Sequence, residues 1–471
     1  MDYTHDVIVI GGGAAGLTAA GGCALFGLRT ALIEGHKMGG ECLNNGCVPS
    51  KALISAAKRA AEAREEERAG VHLAAPTVEW SGVHAHIHEA IAHIAPHDSP
   101  ERFEEMGCEV IQDWAKLTGP KTVEVAGRTL TAPRIVIATG SAPFVPPIEG
   151  LADVPYLTNE NLFDLTEQPE HLVIIGGGVI GMEMAQSFRR LGSEVTVIEP
   201  GEPMGRDDRD SVAVVMGVMQ EEGVRFVKAK AERVSGAASG IIVTTDDGDE
   251  VRGSHLLVAV GRKARTEGYG LEELGIKSNR NGIVVDERRR TNLKHIYAIG
   301  DCRDGPRLTH VSGYEGSNVV LEIALGLPAR VDWRALPWCT YTEPEVAQIG
   351  MTESEARKEY GERLRVVTEG FYHNERAIAE GRDRGHLKVM LTGKKVVGAS
   401  ICGVNAGELL LPFTQLITGK SSTFALGGAI VSYPTRAEIV KAAAFSAWEP
   451  TVFGKWPKRW VSLLAKMRRA F

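Results

Sequence analysis

Two cysteines separated by four residues lie in the stretch Gly39-Gly40-Glu41-Cys42-Leu43-Asn44-Asn45-Gly46-Cys47-Val48-Pro49-Ser50-Lys51. On one helical face, Cys42 and Cys47 would be near enough to close a disulfide and to reopen as a dithiol. So short a loop restrains the unfolded chain only weakly, so the value of such a bond is chemical rather than structural. The competing reading is a pair of buried cysteines acting as small hydrophobes. The glycines in front, the Asn-Asn-Gly between and the Pro-Ser-Lys behind favour a reactive pair.

A dithiol needs a source of electrons, and two segments have the form of nucleotide cradles. Asp6 to Ile10 reads as a buried strand, followed by Gly11-Gly12-Gly13-Ala14-Ala15-Gly16 and an alanine-rich helix from Leu17 to Phe26. In that context Gly11 makes the turn, Gly13 admits a pyrophosphate and Gly16 lets helix pack on strand. A second strand, Thr30 to Ile33, ends at Glu34, 23 positions after Gly11, where a carboxylate can accept from ribose hydroxyls. The pattern recurs. His171 to Ile175 leads into Gly176-Gly177-Gly178-Val179-Ile180-Gly181, and Glu194 to Ile198 ends at Glu199, again 23 positions after Gly176. Gly176, Gly178 and Gly181 repeat the roles of the first three glycines. Two cradles and one dithiol imply two cofactors passing electrons.

Size and composition agree with an enzyme of several domains. The chain has 471 residues, too many for one ordinary core. Its net charge of −7 argues against nucleic acid as the main partner. No run of 18 or more apolar residues suggests a membrane span, and the start of the sequence reads as that of a cytoplasmic protein. Seven scattered cysteines do not form a secreted disulfide framework. Residues 55–70 read as a charged, solvated helix. His84, His86, His88, His93 and His97 include two i, i+4 pairs, but a polar helix face is preferred to a metal site, and no metal is expected.

The cysteine stretch resembles the redox-active disulfide of the FAD-dependent pyridine nucleotide–disulfide oxidoreductases, which share GGxCxNxGCxPSK. These include dihydrolipoamide dehydrogenase, glutathione reductase and mercuric reductase. The resemblance covers nearly the whole chain. It implies an α/β fold of two Rossmann-like dinucleotide-binding domains plus an α+β C-terminal dimerisation domain. Residues 1–150 and a return segment 271–335 would bind FAD, residues 151–270 NAD(P)H, and residues 336–471 would form the homodimer, with the active site completed across the interface. By the same resemblance Cys42 is the interchange thiol and Cys47 the thiol against the flavin. Lys51 lies beside the flavin's reactive nitrogen, and Glu183 pairs with it, in preference to the alternative of a helix-surface acid. Thr139 and Gly140 close the first half of the flavin site, Gly261 ends the NADH domain in a Val-Gly-Arg, and Asp301 accepts from the ribityl hydroxyls. His310 is better read as a packed histidine than as a base. Glu199 should bind a ribose diol and repel a 2′-phosphate, so NADH is expected over NADPH, with Arg206 and Arg209 near enough to reach a phosphate if their loop folds back.

One residue departs from the thiol-disulfide members of the family. Where they carry His-Pro-Thr-x-x-Glu, this chain has Tyr433-Pro434-Thr435-Arg436-Ala437-Glu438. Glu438 keeps its offset, but Tyr433 replaces the proton-shuttling base, and a phenol with an ordinary pKa of ~10 is a poor base near neutrality. Mercuric reductases also carry tyrosine there. The expected reaction therefore runs from NADH through flavin and the Cys42–Cys47 disulfide to a metal ion or a disulfide, as in a mercuric reductase-like NAD(P)H-dependent flavoprotein disulfide reductase. The alternatives are dihydrolipoamide dehydrogenase and an electron-transfer or redox component serving a protein partner. Unlike mercuric reductases, which bring a cysteine pair at the C-terminus, this sequence has no cysteine after Tyr433. Residues 454–471 instead combine six basic residues with apolar ones at helical spacing, a basic amphipathic helix suited to a membrane surface, a protein partner or the body of its own dimer.

Overall fold

The computed structural model describes residues 2–64, 70–72, 74–237 and 240–469. They form two compact units, one made of residues 1–202 and 224–331, the other of residues 203–223 and 332–471.

The first unit contains two parallel sheets of like topology. In the first, the strands run in the order Ile296–Ala298, Arg134–Ile137, Val7–Ile10, Thr30–Ile33, Cys108–Ile111. In the second the order is Arg225–Val227, Glu194–Ile198, His171–Ile175, His255–Val258. The central strands, VIVI and HLVII, are buried almost throughout, as a parallel sheet covered on both faces requires. In each sheet the first strand lies between its successor and a strand that arrives much later in the chain. The order reverses there, and the carboxyl ends of the strands open a crevice. Each sheet also carries a three-stranded antiparallel excursion before its fourth strand: Lys116–Gly119, Thr122–Val125, Arg128–Thr131 in one, and Ala231–Ala237, Gly240–Thr245, Glu250–Gly253 in the other.

The second unit is built on a five-stranded antiparallel sheet in the order Pro337–Thr340, Glu345–Gly350, Lys395–Gly403, His386–Thr392, Leu364–Gly370. Helices Leu411–Ile417 and Glu438–Ser446 cover it, burying Phe413, Ile417, Val440 and Ala443 against Leu387, Val389 and Ile401. The segment 203–223 belongs to this unit. Its helix Arg209–Glu221 is capped by Asp208, and buried Lys388 on the sheet pairs with Asp208 at 3.1 Å and with Glu353 at 2.8 Å. Trp338 Nε1 donates to Asp207 at 2.7 Å. The α/β class with a C-terminal α+β part agrees with expectation.

Three local expectations change. The two cysteines do not share a helix: Cys42 lies in helix Gly40–Asn44 and Cys47 begins helix Cys47–Arg64, with the break at Asn45-Gly46. The charged helix expected over 55–70 is seen to Arg64, and residues 65–69 lie outside the described residues. His310 is exposed rather than packed, because it stands in the first turn of helix Thr309–Leu325.

Candidate active site

Each cradle begins with a glycine that no other residue can replace without strain. Gly11 has φ +114°, and a Cβ there would stand 2.2 Å from the Ala138 carbonyl oxygen. Gly176 has φ +111°, with the Ala259 carbonyl oxygen at 2.5 Å. The same closure of turn against the neighbouring strand is thus built twice. At Gly178 a Cβ would meet nothing within 4 Å, so this loop presents bare backbone to open space ahead of helix Val179–Leu191. A phosphate can approach the N–H groups there, and the residues present fit a dinucleotide at both loops. The two acids also behave alike. Glu34 accepts from the Gly12 N–H at 2.5 Å and the His36 N–H at 2.7 Å. Glu199 accepts from the Gly177 and Gly201 N–H groups, each at 2.8 Å. Both carboxylates are thereby held at the lip of their glycine loop. The guanidinium of Arg209 donates to the carbonyls of Pro203, Met204 and Asp207 in its own loop.

The cysteine stretch rests on the first cradle. Gly40 has φ +56°, and its missing side chain leaves room for Gly13, whose Cα would be 2.6 Å from a Cβ. Between the cysteines, Asn44 donates to the carbonyls of Gly40 at 2.7 Å and Met38 at 3.1 Å, closing the turn. Asn45 donates to the Glu160 carbonyl at 2.8 Å. Both sulfurs are free thiols here. Thr309 Oγ1 lies 3.1 Å from the Cys47 sulfur.

The proton divides unequally between the two thiols. The hydrogen bond from Cys42, helped by Thr309 and the Lys51 ammonium, lowers Cys47 to about 6 against the opposing effect of burial. The same hydrogen bond, together with burial, pushes Cys42 well up. Among the other cysteines, burial raises Cys23 and Cys402 to about 12, and Cys108 and Cys302 to about 11. Those four thiols stay protonated at neutral pH, whereas Cys47 is poised as a thiolate.

Lys51, one turn beyond Cys47, places its ammonium 2.9 Å from the Glu183 carboxylate. Glu183 is 4% exposed and stands on the helix that opens the second cradle, so it is not a surface acid. Asp301 meets Ser141 and Arg262, Thr139 and Gly140 meet Arg265, and the Gly261 carbonyl accepts from the Phe144 N–H at 2.9 Å. Ser141 Oγ donates to Asp301 at 2.8 Å, and Arg262 Nε donates to Ser141 Oγ at 2.8 Å. Thr139 Oγ1 donates to the Arg265 carbonyl at 2.6 Å, and the Arg265 N–H donates to the Gly140 carbonyl at 2.9 Å. Below Asp301, Glu315 is fully buried. It accepts from the Gly300 N–H at 2.8 Å, from Arg303 Nε at 2.8 Å and from Arg289 Nη1 at 2.9 Å.

Several of these residues escaped sequence reasoning. Glu41, next to Cys42, forms a bidentate pair with Arg262 and accepts from Asn159, and burial raises its carboxyl despite the guanidinium. An acid set directly before a reactive cysteine was the available signal. Thr309 and Arg303 gave none, because only folding brings them near. Tyr433 and Glu438 belong to the second unit. Tyr433 is exposed, and Glu438 accepts from the Thr435 N–H at 3.3 Å at the start of its own helix. The His84 and His88 rings lie tilted against each other, with centroids 4.2 Å apart.

Comparison with known proteins accounts for this arrangement. The family model described as pyridine nucleotide-disulphide oxidoreductase matches residues 5–316, and that of the family's dimerisation domain matches residues 336–444, which supports a homodimer. A mercuric reductase of Streptomyces lividans is 34% identical over 93% of this chain and 95% of its own length. A dihydrolipoyl dehydrogenase of Bacillus subtilis is 30% identical over 93% and 97%. Among solved structures, LpdA from Mycobacterium tuberculosis superposes with a TM-score of 0.86 at 28% identity, covering 94% of this chain and 99% of that one. A Cu(II) complex of the HOCl-induced flavoprotein disulfide reductase RclA from Escherichia coli gives 0.84 at 28%, with the same coverage. The chain belongs to the pyridine nucleotide-disulphide oxidoreductases, flavoprotein enzymes that bind FAD and a pyridine nucleotide.

Proposed function

We propose that this enzyme takes electrons from NADH and delivers them, by way of FAD and the Cys42–Cys47 pair, to a metal ion or a disulfide in the manner of a mercuric reductase. The observation that carries the reading is the 2.9 Å pair between Lys51 and Glu183, which ties the helix behind the cysteines to the helix behind the second cradle. On this reading residues 1–150 and 271–335 hold the FAD, residues 151–270 the NADH, and residues 336–471 the dimer. Gly11, Gly13, Gly16 and Glu34 cradle the FAD, Thr139 and Gly140 close the first half of its site, Asp301 accepts from its ribityl hydroxyls, and Gly261 ends the NADH domain. Gly176, Gly178, Gly181 and Glu199 cradle the NADH. A bound flavin supplies the two-electron relay between the nicotinamide and the sulfurs. Lys51 holds positive charge beside it, and Glu183 holds Lys51 in place.

At rest Cys47 holds the thiolate and Cys42 the proton; Cys42 releases that proton to solvent as it meets the acceptor as a thiolate. Reducing a disulfide releases a thiol, which must be protonated, and the residue at the customary position, Tyr433, is a poor acid-base group near pH 7, its ordinary pKa being ~10. A metal ion held by thiolates takes up electrons without any proton moving to sulfur. Glu199 favours NADH, because a carboxylate repels a 2′-phosphate and Arg209 is engaged with its own loop. The second reading, dihydrolipoamide oxidation or its reverse, draws support from the dihydrolipoyl dehydrogenases among the relatives.

The test is NADH oxidation by the flavin-loaded enzyme with Hg(II), Cu(II), lipoamide and glutathione disulfide as acceptors. Faster turnover with a metal ion supports the reading, and faster turnover with lipoamide overturns it. Tyr433→His should raise the lipoamide rate by about tenfold or more, within the usual range for a positioned general base. An unchanged rate refutes the missing-base argument.

A further inference from the structure

The helix Lys455–Arg469 lies beyond residue 444, where the match to the family's dimerisation domain ends. It separates two kinds of surface. Trp456, Trp460, Leu463 and Met467 follow one another at intervals of four, three and four residues, the spacing that lines up side chains on one helical face. All four are exposed, Trp456 to 79% and Trp460 to 60%. Such large apolar side chains in a continuous stripe mark a surface made to be covered. Lys455, Arg459 and Lys466 run along one margin of the stripe, and Lys458 and Arg469 lie further round on the same polar side. No acidic residue occurs from 454 to 471, in a chain whose net charge is −7.

We propose that this helix lies flat on an anionic lipid surface, with the two tryptophans and their apolar neighbours in the headgroup boundary and the basic margin against lipid phosphates. The charge pattern selects this occupant. A second copy of the same helix would set like charges against like, whereas an anionic bilayer neutralises all of them. Tryptophan favours the membrane–water boundary because its ring is apolar and its N–H is polar. Spanning is not the mode of attachment, since no described helix is long and apolar enough to cross a bilayer. Pro457, Leu464 and Ala465, on another face of the helix, are half-buried, while the residues of the stripe are exposed. The enzyme would in this way be held at a membrane surface while its dithiol chemistry stays in the aqueous phase.

The experiment is co-sedimentation of the flavin-loaded full-length enzyme with vesicles of phosphatidylcholine alone, or with about a third phosphatidylglycerol. Binding to the anionic vesicles should exceed binding to the neutral ones by about tenfold or more, and should fall sharply at about 1 M NaCl. The double variant Trp456→Ala, Trp460→Ala should lose about tenfold of the binding while keeping its flavin and its NADH oxidation rate. Equal binding to both vesicle types overturns the proposal, as does wild-type binding by the double variant. If the stripe is covered by a second copy, the double variant instead shifts the oligomer in gel filtration and neither protein sediments with vesicles. That result also overturns it.

Discussion

Replacing Cys42 with alanine tests how the reduced enzyme divides its protons. The Cys42 hydrogen bond is the largest of the effects that hold Cys47 at about 6. Thr309 and Lys51 add less, and burial works the other way. At pH 7 a pKa of about 6 corresponds to roughly ten thiolates for each thiol. Because the pKa is lowered, the thiolate is present above that value and is lost as pH falls through it. In Cys42→Ala the leading stabilisation disappears while burial remains, so the inflection should rise by at least about one unit. The thiolate share at pH 7 then drops to about half or below. The assay is alkylation of the reduced protein by iodoacetamide across pH, with labelling of the Cys47 peptide read by mass spectrometry. The wild-type rate should show its inflection near 6, and the variant's should lie at least about one unit higher. An inflection that does not move, or a wild-type enzyme in which Cys42 carries the lower one, would refute the assignment of the thiolate to Cys47.

Gly176→Ala places a Cβ 2.5 Å from the Ala259 carbonyl oxygen at φ +111°, so the second cradle should fail while the first survives. The variant should purify with flavin that dithionite reduces, yet lose about a hundredfold or more in kcat/KM for NADH; loss of flavin as well would mean that the cradles are not independent. Glu315→Gln removes the charge shared by buried Arg289 and Arg303 and weakens the hold on the Gly300 N–H. Destabilisation on the order of 3 kcal/mol is expected. It should appear as a lowered temperature of flavin release, and a release temperature within about a degree of wild type would show that the network is dispensable.

The chemistry was readable from the sequence because it depends on local patterns. A strand, a glycine loop, a helix and an acid at a fixed offset form one continuous segment, so both cradles and both carboxylates could be named before folding was considered. Gly11 and Gly176 are legible for the same reason: each is a turn that only glycine can make where the neighbouring strand comes so close. Cys42, Cys47 and Lys51 likewise lie within ten residues, whereas Tyr433 stands out only against the pattern of the family that the chain resembles. The break between the two cysteines was less legible. It depends on Asn44 and Asn45 turning their amides onto the carbonyls of Gly40 and Glu160, and helix periodicity does not encode such bonds.

Tertiary structure decided which residues meet. Lys51 and Glu183 are 132 positions apart, and Cys47 and Thr309 are 262 apart. No spacing rule links them: the packing of helix Cys47–Arg64 on helix Val179–Leu191 sets the first distance, and the return of the chain to the first sheet sets the second. The burial of Glu183 and Glu315 is of the same kind. A carboxylate in a helix reads as a surface group until a cation from a distant segment makes its burial affordable. The low pKa of Cys47 also belongs to the fold: the Cys42 thiol is brought into hydrogen-bonding reach by the break between their helices and Thr309 by a segment 262 positions away, and a cysteine reads alike in sequence whether burial raises it, as at Cys302, or a neighbouring thiol lowers it. Sequence alone thus determined which groups could carry electrons, since that follows from residue type and short-range order. Only the fold determined which of them holds the charge, since that depends on solvent and on neighbours far away along the chain.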